Sequence, residues 1–232
     1  MIWFWLDGVD SRTFGVYLQT PPEILSAEPD LEFIDIPGRD GSLLINHGGY
    51  HDNETELMCY VQDVANIGDA YGFLSGSHKF VFSTNPTRAY YGTFFGTAQS
   101  TRLVRNLKAQ EITAPVRFKP FRYFEPAPGT IHITESISSI NNPGSAESAP
   151  IIAVYGSGNI TLMIGLTIME FSNVVGGVVI DCANNQLLNI DGISRALEHD
   201  VDEFPRLAPG ANGIQWTGNV QSVTIEPRWR DK

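Results

Sequence analysis

Short apolar-rich runs, repeatedly broken by Gly, Pro, Asn or Asp, dominate the chain. Runs of this kind, rich in Val, Ile, Phe, Tyr and Trp, read as β-strands bounded by turns. In the first half they are Ile2 to Leu6, Gly15 to Gln19, Glu56 to Val61, Phe80 to Phe82, Arg88 to Phe95, Arg102 to Leu107 and Gln110 to Phe118. Asp7-Gly8 and Pro21-Pro22 close the first two. A further pair, Phe33 to Ile36 and Ser42 to Ile45, flanks Pro37-Gly38-Arg39-Asp40-Gly41. Pro presets φ for a turn and each Gly accepts positive φ, so this core redirects the chain and predicts a β-hairpin.

The period changes once. Val64, Ile67, Tyr71 and Leu74 recur at helical spacing, with Asp63 placed to cap the start and Gly76 to stop the end. Such a stripe predicts one helix packed on a core, although Gly68 and Gly72 weaken it. Pro120 to Gly129 holds three prolines and a glycine among ten residues and predicts an extended connector, with domains at 1-124 and 125-232. Beyond it, strands are predicted at Thr130 to Thr134, Ile151 to Tyr155, Ile160 to Ile164, Leu166 to Phe171, Val174 to Ile180, Leu187 to Ile190 and Val220 to Ile225. Asn141 to Gly144, Gly156 to Asn159, Asn184-Asn185 and Asp191-Gly192 supply the turns. Short strands at this spacing indicate a sandwich or barrel, so the fold class is mainly β.

Length and charge narrow the function classes. The chain has 232 residues, enough to bury a core without disulfide staples. Cys59 and Cys182 form no metal-type spacing; they pair only if the fold brings them together, and two reduced buried thiols is the simpler expectation. The net charge is −11, and neither half is basic: 10 basic against 14 acidic residues up to Phe124, then 5 against 12. That balance argues against broad or sequence-specific nucleic-acid binding, which needs phosphate neutralisation. The apolar start lacks the basic region of a signal peptide, and no apolar run approaches a membrane span, so a protein made in the cytoplasm without membrane insertion is expected. Six of the fifteen basic residues lie between Arg102 and Arg122, either as edge-protecting charge on strands or as a charged subunit interface.

Chemistry is hard to find. Gly156-Ser157-Gly158 lies between strands with no helix following, so it is a turn and not a phosphate loop. His47 and His51 flank Gly48-Gly49-Tyr50 without matching any metal motif, and read as exposed histidines in a glycine-rich loop. Glu198, Asp200, Asp202 and Glu203 around His199 offer oxygen ligands for a divalent cation but lack a calcium-loop pattern, and a solvated loop is the plainer reading. No nucleophile elbow is legible. The expectation is therefore no catalytic, metal or cofactor site, and no enzyme. Trp216 and Trp229, with Tyr155 and Phe204, form either a sugar-stacking face or core.

Several stretches taken in order resemble the distal tail proteins of long, non-contractile-tailed bacteriophages. They are Phe14-Gly15-Val16, Ile36 to Leu43, Lys79 to Ser83 with Arg88 to Tyr91, and Val116 to Tyr123. In the second half they are Asn141 to Pro150, Pro205 to Gly210, Gly213 to Gly218 and Ile225 to Arg230. The resemblance implies an N-terminal β-sandwich with one helix that closes into a homo-hexameric ring, plus a C-terminal galectin-like β-sandwich. It implies a structural hub in the virion, at the distal end of the tail, joining the tail tube protein to a tail-associated hub or fibre protein and letting DNA pass. A receptor-binding protein is a further implied partner. Ile36, Pro37, Gly38, Arg39, Asp40 and Gly41 would then form an arm contacting the next subunit. The alternative is a carbohydrate-binding module for host recognition, with Trp216 and Trp229 as glycan contacts; no inserted module is evident in this short chain.

Overall fold

A computed structural model describes residues 1–23, 26–102, 108–190 and 203–232. The protein is mainly β, as the alternation predicts, and forms two compact units: Met1–Glu125 with Lys232, and Pro126–Asp231.

The first unit contains β1 (Phe4–Leu6), β2 (Val9–Asp10), β3 (Val16–Leu18), β4 (Glu28–Ile34), β5 (Leu43–His51), β6 (Asn53–Val61), β7 (Gly76–Phe82), β8 (Asn85–Phe94), β9 (Gln99–Arg102) and β10 (Gln110–Phe124). One antiparallel sheet runs β2-β1-β7-β8-β10-β6-β3, with β9 also on β10. It curls until its edges meet: Ile2 bridges Leu18, whose N–H donates to the Ile2 carbonyl at 2.9 Å. The opposing arcs of the curled sheet enclose one core, in which Phe4, Phe80 and Phe82 are fully buried. Phe80 sits 5.0 Å from Phe118 in a T-shaped contact and 5.3 Å from Phe94. Such pairs add to the area each ring removes from water.

The helix is shorter than its stripe. A 3-10 turn, Val64–Asn66, precedes α1 (Ile67–Phe73), and the Asp63 carboxylate accepts the Ala65 N–H at 3.0 Å. Ala70 and Leu74 are buried and Ile67 and Tyr71 pack on the core, while Val64 is exposed. Gly68 and Gly72 account for the brevity, because each raises the entropy lost in a helix.

β10 overruns its predicted end. It continues through Pro120 to Phe124, where a connector is expected from sequence. Pro115 and Pro120 lack an N–H, which normally bars proline from a central strand. Pro115 falls between Thr113, the last partner of β9, and Val116, the first partner of β8. Its carbonyl faces that side, accepting from Phe95 N, so the missing N–H lies in the gap between the two neighbouring strands. Pro120 sits in a bulge: Phe118 pairs with Gly92 and Arg122 with Tyr90, so three residues of β10 oppose one of β8.

The second unit contains β11 (Ile131–Ile133), β12 (Ser138–Asn142), β13 (Ile151–Ile164), β14 (Thr167–Val174), β15 (Gly177–Asp181), β16 (Gln186–Asn189) and β17 (Gly210–Glu226). The order is β11-β17-β13-β15-β16, with β12 on β17 and β14 on β13. The long strands β13 and β17 pair along both halves, and their register slips between Tyr155 and Thr161. Gly156 to Asn159 is therefore a bend within one strand, where the sequence predicts a turn between two. Gly218 makes this possible: at φ +96° its backbone lies where a Cβ would come within 2.3 Å of the Asn159 carbonyl. The first half of β13 pairs with β15 and the second with β14, so the bent strands serve two layers around a core that includes Ile152, Val154, Leu162 and Phe171.

Asn142, read from sequence as part of a turn, is the last residue of β12 and only 2 % exposed. Its Nδ2 donates to the Ala146 carbonyl at 3.0 Å and the Leu207 carbonyl at 2.8 Å, and its Oδ1 accepts Gly144 N–H at 2.8 Å. Replacing it leaves the buried Ala146 carbonyl and Gly144 N–H without that partner, and leaves the Leu207 carbonyl only the bond from Ser148 N–H. Asn142→Ala is expected to lower stability by about 2–4 kcal/mol in denaturant unfolding, against less than about 0.5 kcal/mol for the exposed neighbour Asn141→Ala. Equal small effects would show the three bonds to be dispensable.

Candidate functional site

Strands β4 and β5 form a two-stranded sheet of their own. The register pairs Ile34 with Leu43 and Phe33 with Leu44. The turn between them carries Gly38 at φ +82° and Gly41 at φ +78°, and Arg39 N–H donates to the Ile36 carbonyl at 3.1 Å. Ser42 Oγ closes the neck by donating to Asp35 Oδ1 at 2.6 Å. All six residues from Ile36 to Gly41 are exposed. So are the apolar flanks: Phe33 is 67 % exposed and Leu44 52 %, with Ile34, Ile36 and Leu43 near 40 %. At its base the hairpin is fastened to the unit by Tyr50, whose ring meets Phe121 edge-on at 4.9 Å.

The two histidines lie on β5 and not in a loop. His47 Nε2 is 3.2 Å from Glu32 and His51 Nε2 is 3.4 Å from Asp30, both carboxylates on β4. The glycines that suggested a loop serve a register shift opposite Pro29 and Leu31, where Gly48 takes φ +78° and donates to the Asn46 side chain. The hairpin is therefore polar and cross-paired near its base and apolar toward its tip.

Elsewhere the predicted chemistry separates. Among the described residues no three His, Cys, Asp or Glu side chains converge as metal ligands. Glu198, His199, Asp200 and Asp202 lie outside the described residues, and Glu203 is exposed. His78 Nδ1 is 2.6 Å from Asp7 Oδ2, and its Nε2 is 2.6 Å from the Ser75 carbonyl. The Lys79 N–H, and then the His78 ring, hold the Asp7 carboxyl below the usual carboxylate range. This group ties the β1–β2 turn to the start of β7. Of the basic cluster, Arg117 pairs with Glu54 on β6 and Lys119 with Asp52, in the turn that joins β5 to β6. No described helix is long and apolar enough to cross a membrane.

Trp216 and Trp229 are 8 % and 6 % exposed. The alternation along β17 turns Trp216 inward with Asn212 and Ile214. An indole so covered has no open face on which a sugar ring can stack. The tip of the hairpin, by contrast, exposes apolar surface that sequence alone does not distinguish from core strand.

No known protein-family profile matches the chain, and no curated protein matches its sequence. Among solved structures it is similar to the SPP1 Dit (gp 19.1) protein, described as a paradigm of hub adsorption apparatus in Gram-positive infecting phages. The TM-score is 0.71 at 16 % identity, over 97 % of this chain and 98 % of that one. The likeness is one of fold, and it extends across both units.

Both cysteines are free and buried, Cys59 in β6 and Cys182 just after β15. Burial pushes each thiol up to about 12. Neither is therefore a nucleophile at neutral pH. An aromatic disulfide reagent at pH 8 is expected to find no reactive thiol in the folded protein and two per chain in denaturant. A thiol reacting within minutes in the folded state would place one of them at the surface.

Proposed function

We propose that this protein is a structural hub of a phage tail tip or baseplate, a subunit of a hexameric ring that joins the tail tube to the adsorption apparatus and lets DNA pass. Its role is assembly and not catalysis, and its place is the distal end of the tail in the virion. The observation that carries this reading is the fold shared with a phage hub protein along nearly the whole chain. The first unit forms the ring, and the second, a galectin-like sandwich, engages a fibre or receptor-binding protein. The excess of acidic residues suits a conduit, because phosphates are repelled and not held.

The β4–β5 hairpin is the arm that reaches the neighbouring subunit. A two-stranded ribbon is marginal in water without a surface to pack on. This one also leaves Phe33 and Leu44 in solvent, which a second subunit would cover. A head-to-tail contact of that kind closes into a ring when the rotation is right. Arg39 and Asp40 at the tip would fix the register of the contact through charge.

Light scattering after size exclusion, with negative-stain images of the same peak, tests the reading. A six-membered ring with an open centre is expected. A chain that stays monomeric alone and fails to join tail-tube or fibre proteins would overturn it. Burial of Phe33 and Leu44 is worth roughly 3 kcal/mol or more per contact, so Phe33→Ser with Leu44→Ser should weaken assembly by about two orders of magnitude. The melting temperature of the monomer should barely change. Reversing both tip charges, Arg39→Glu with Asp40→Lys, should likewise disturb assembly more than folding; a double variant that remains hexameric would remove the tip from the interface.

A further inference from the structure

The bulge in β10 does more than accommodate a proline. By setting Lys119, Pro120 and Phe121 opposite the single residue Tyr91, it brings Arg122 into direct cross-strand register with Tyr90. Bulges of this kind re-aim a side chain. Here the result is a small cavity lined by Tyr90 and Arg122, walled by Pro22, Phe82, Phe118 and Pro120, with Lys119 and Glu23 also in its lining.

Two donors in this cavity have no acceptor. Tyr90 is 6 % exposed, and neither its hydroxyl nor Arg122 Nε has a hydrogen-bond partner. Arg122 is anchored from its far side, where Nη2 donates to the Lys232 main-chain oxygen at 2.5 Å. Asn85 and Arg122 approach the Tyr90 hydroxyl without the geometry of a hydrogen bond. Arg122 and Lys119 line the space together with the carboxylate of Glu23; Lys119 is paired with Asp52 at 3.2 Å, and Arg88 also acts on the phenol. Burial raises the pKa of that phenol, while Arg122, Asn85 and Arg88 pull the other way. Buried donors are almost always satisfied, so an excess of them marks the place of an acceptor brought from outside.

We propose that this cavity is a socket for a carboxylate, one oxygen of which enters between the Tyr90 hydroxyl and Arg122 Nε. The space is about 20 Å³, enough for one oxygen-sized group and too small for a tetrahedral phosphate to enter whole. A planar acid satisfies both donors at once, and its charge is met by the guanidinium. The carboxylate belongs either to a small organic acid or to an Asp or Glu side chain of a docked protein segment. The chemistry is the same in both cases, and the inference does not rest on the tail reading.

The test follows the Arg122 Nε–H resonance of the full-length protein by NMR at constant ionic strength. Sodium acetate is titrated against sodium chloride, and a capped tripeptide with central Glu against its Gln counterpart. A saturable shift with acetate and with the Glu peptide, absent with chloride and the Gln peptide, is expected. Saturation at lower concentration with the peptide would assign the socket to an acidic side chain; the reverse would assign it to a free acid. Tyr90→Phe, read at the same Arg122 resonance, should raise the half-saturating concentration about tenfold. Arg122→Gln, at a partly exposed position that spares the core, should abolish saturation read at the Tyr90 amide. A flat or chloride-like response to both acids in the wild-type protein would overturn the proposal and leave the cavity to water.

Discussion

The first unit depends on one strand. β10 hydrogen-bonds to β6 along one side and to β9 and then β8 along the other, so most of the curled sheet hangs from it directly or at one remove. Strict alternation does the rest. Ile112, Ala114, Val116 and Phe118 point inward and are buried, while Arg117 points outward to Glu54 on β6 and Lys119 to Asp52 just before it. Exposed ion pairs of that sort add little stability, so the strand is held by its inward face and its ladder. Its two prolines fall where the ladder is already interrupted. The second lies in the bulge that sets Arg122 opposite Tyr90.

The same accounting of ladders and faces isolates the β4–β5 hairpin. Each of its strands has a single partner, and neither face of the ribbon is covered near the tip. The curled sheet needs nothing from it: the sheet closes through Ile2 and Leu18, and its core is complete without any residue of β4 or β5. Selection for folding of the monomer therefore gives no reason for Phe33 and Leu44 to be apolar.

Alternation made the strands legible in the sequence, since it reports the faces of a sheet. It did not report continuity. Gly156 to Asn159 carries the composition of a turn, yet β13 passes through it, because a glycine that permits a reversal equally permits a bend. Pro120 looked like a terminus for the same reason: a missing N–H ends a ladder only if a partner is there to be lost. The helix was visible from Ile67, Tyr71 and Leu74, although two glycines cut it to seven residues. For the candidate site, the turn from Pro37 to Gly41 was legible and the exposure of its flanks was not. Phe33 and Leu44 have the composition of core strand, and Trp216 has the composition of a binding platform. Only tertiary structure reverses those two appearances. The Tyr90–Arg122 pair left no local signal, because a bulge sets its register across more than thirty residues.

A fold shared at 16 % identity is what this division of labour predicts. Inward positions of a sheet ask only for apolar side chains of suitable volume, and many combinations of Val, Ile, Leu and Phe meet that demand. Outward positions ask for less still. Sequence can therefore drift widely while strand order, bends and closure persist. What such drift does not excuse is an apolar residue held in water, or a buried donor without an acceptor. The fold does not require either one. The hairpin flanks and the Tyr90 hydroxyl are two places among the described residues of the first unit where the chain departs from what its own folding demands.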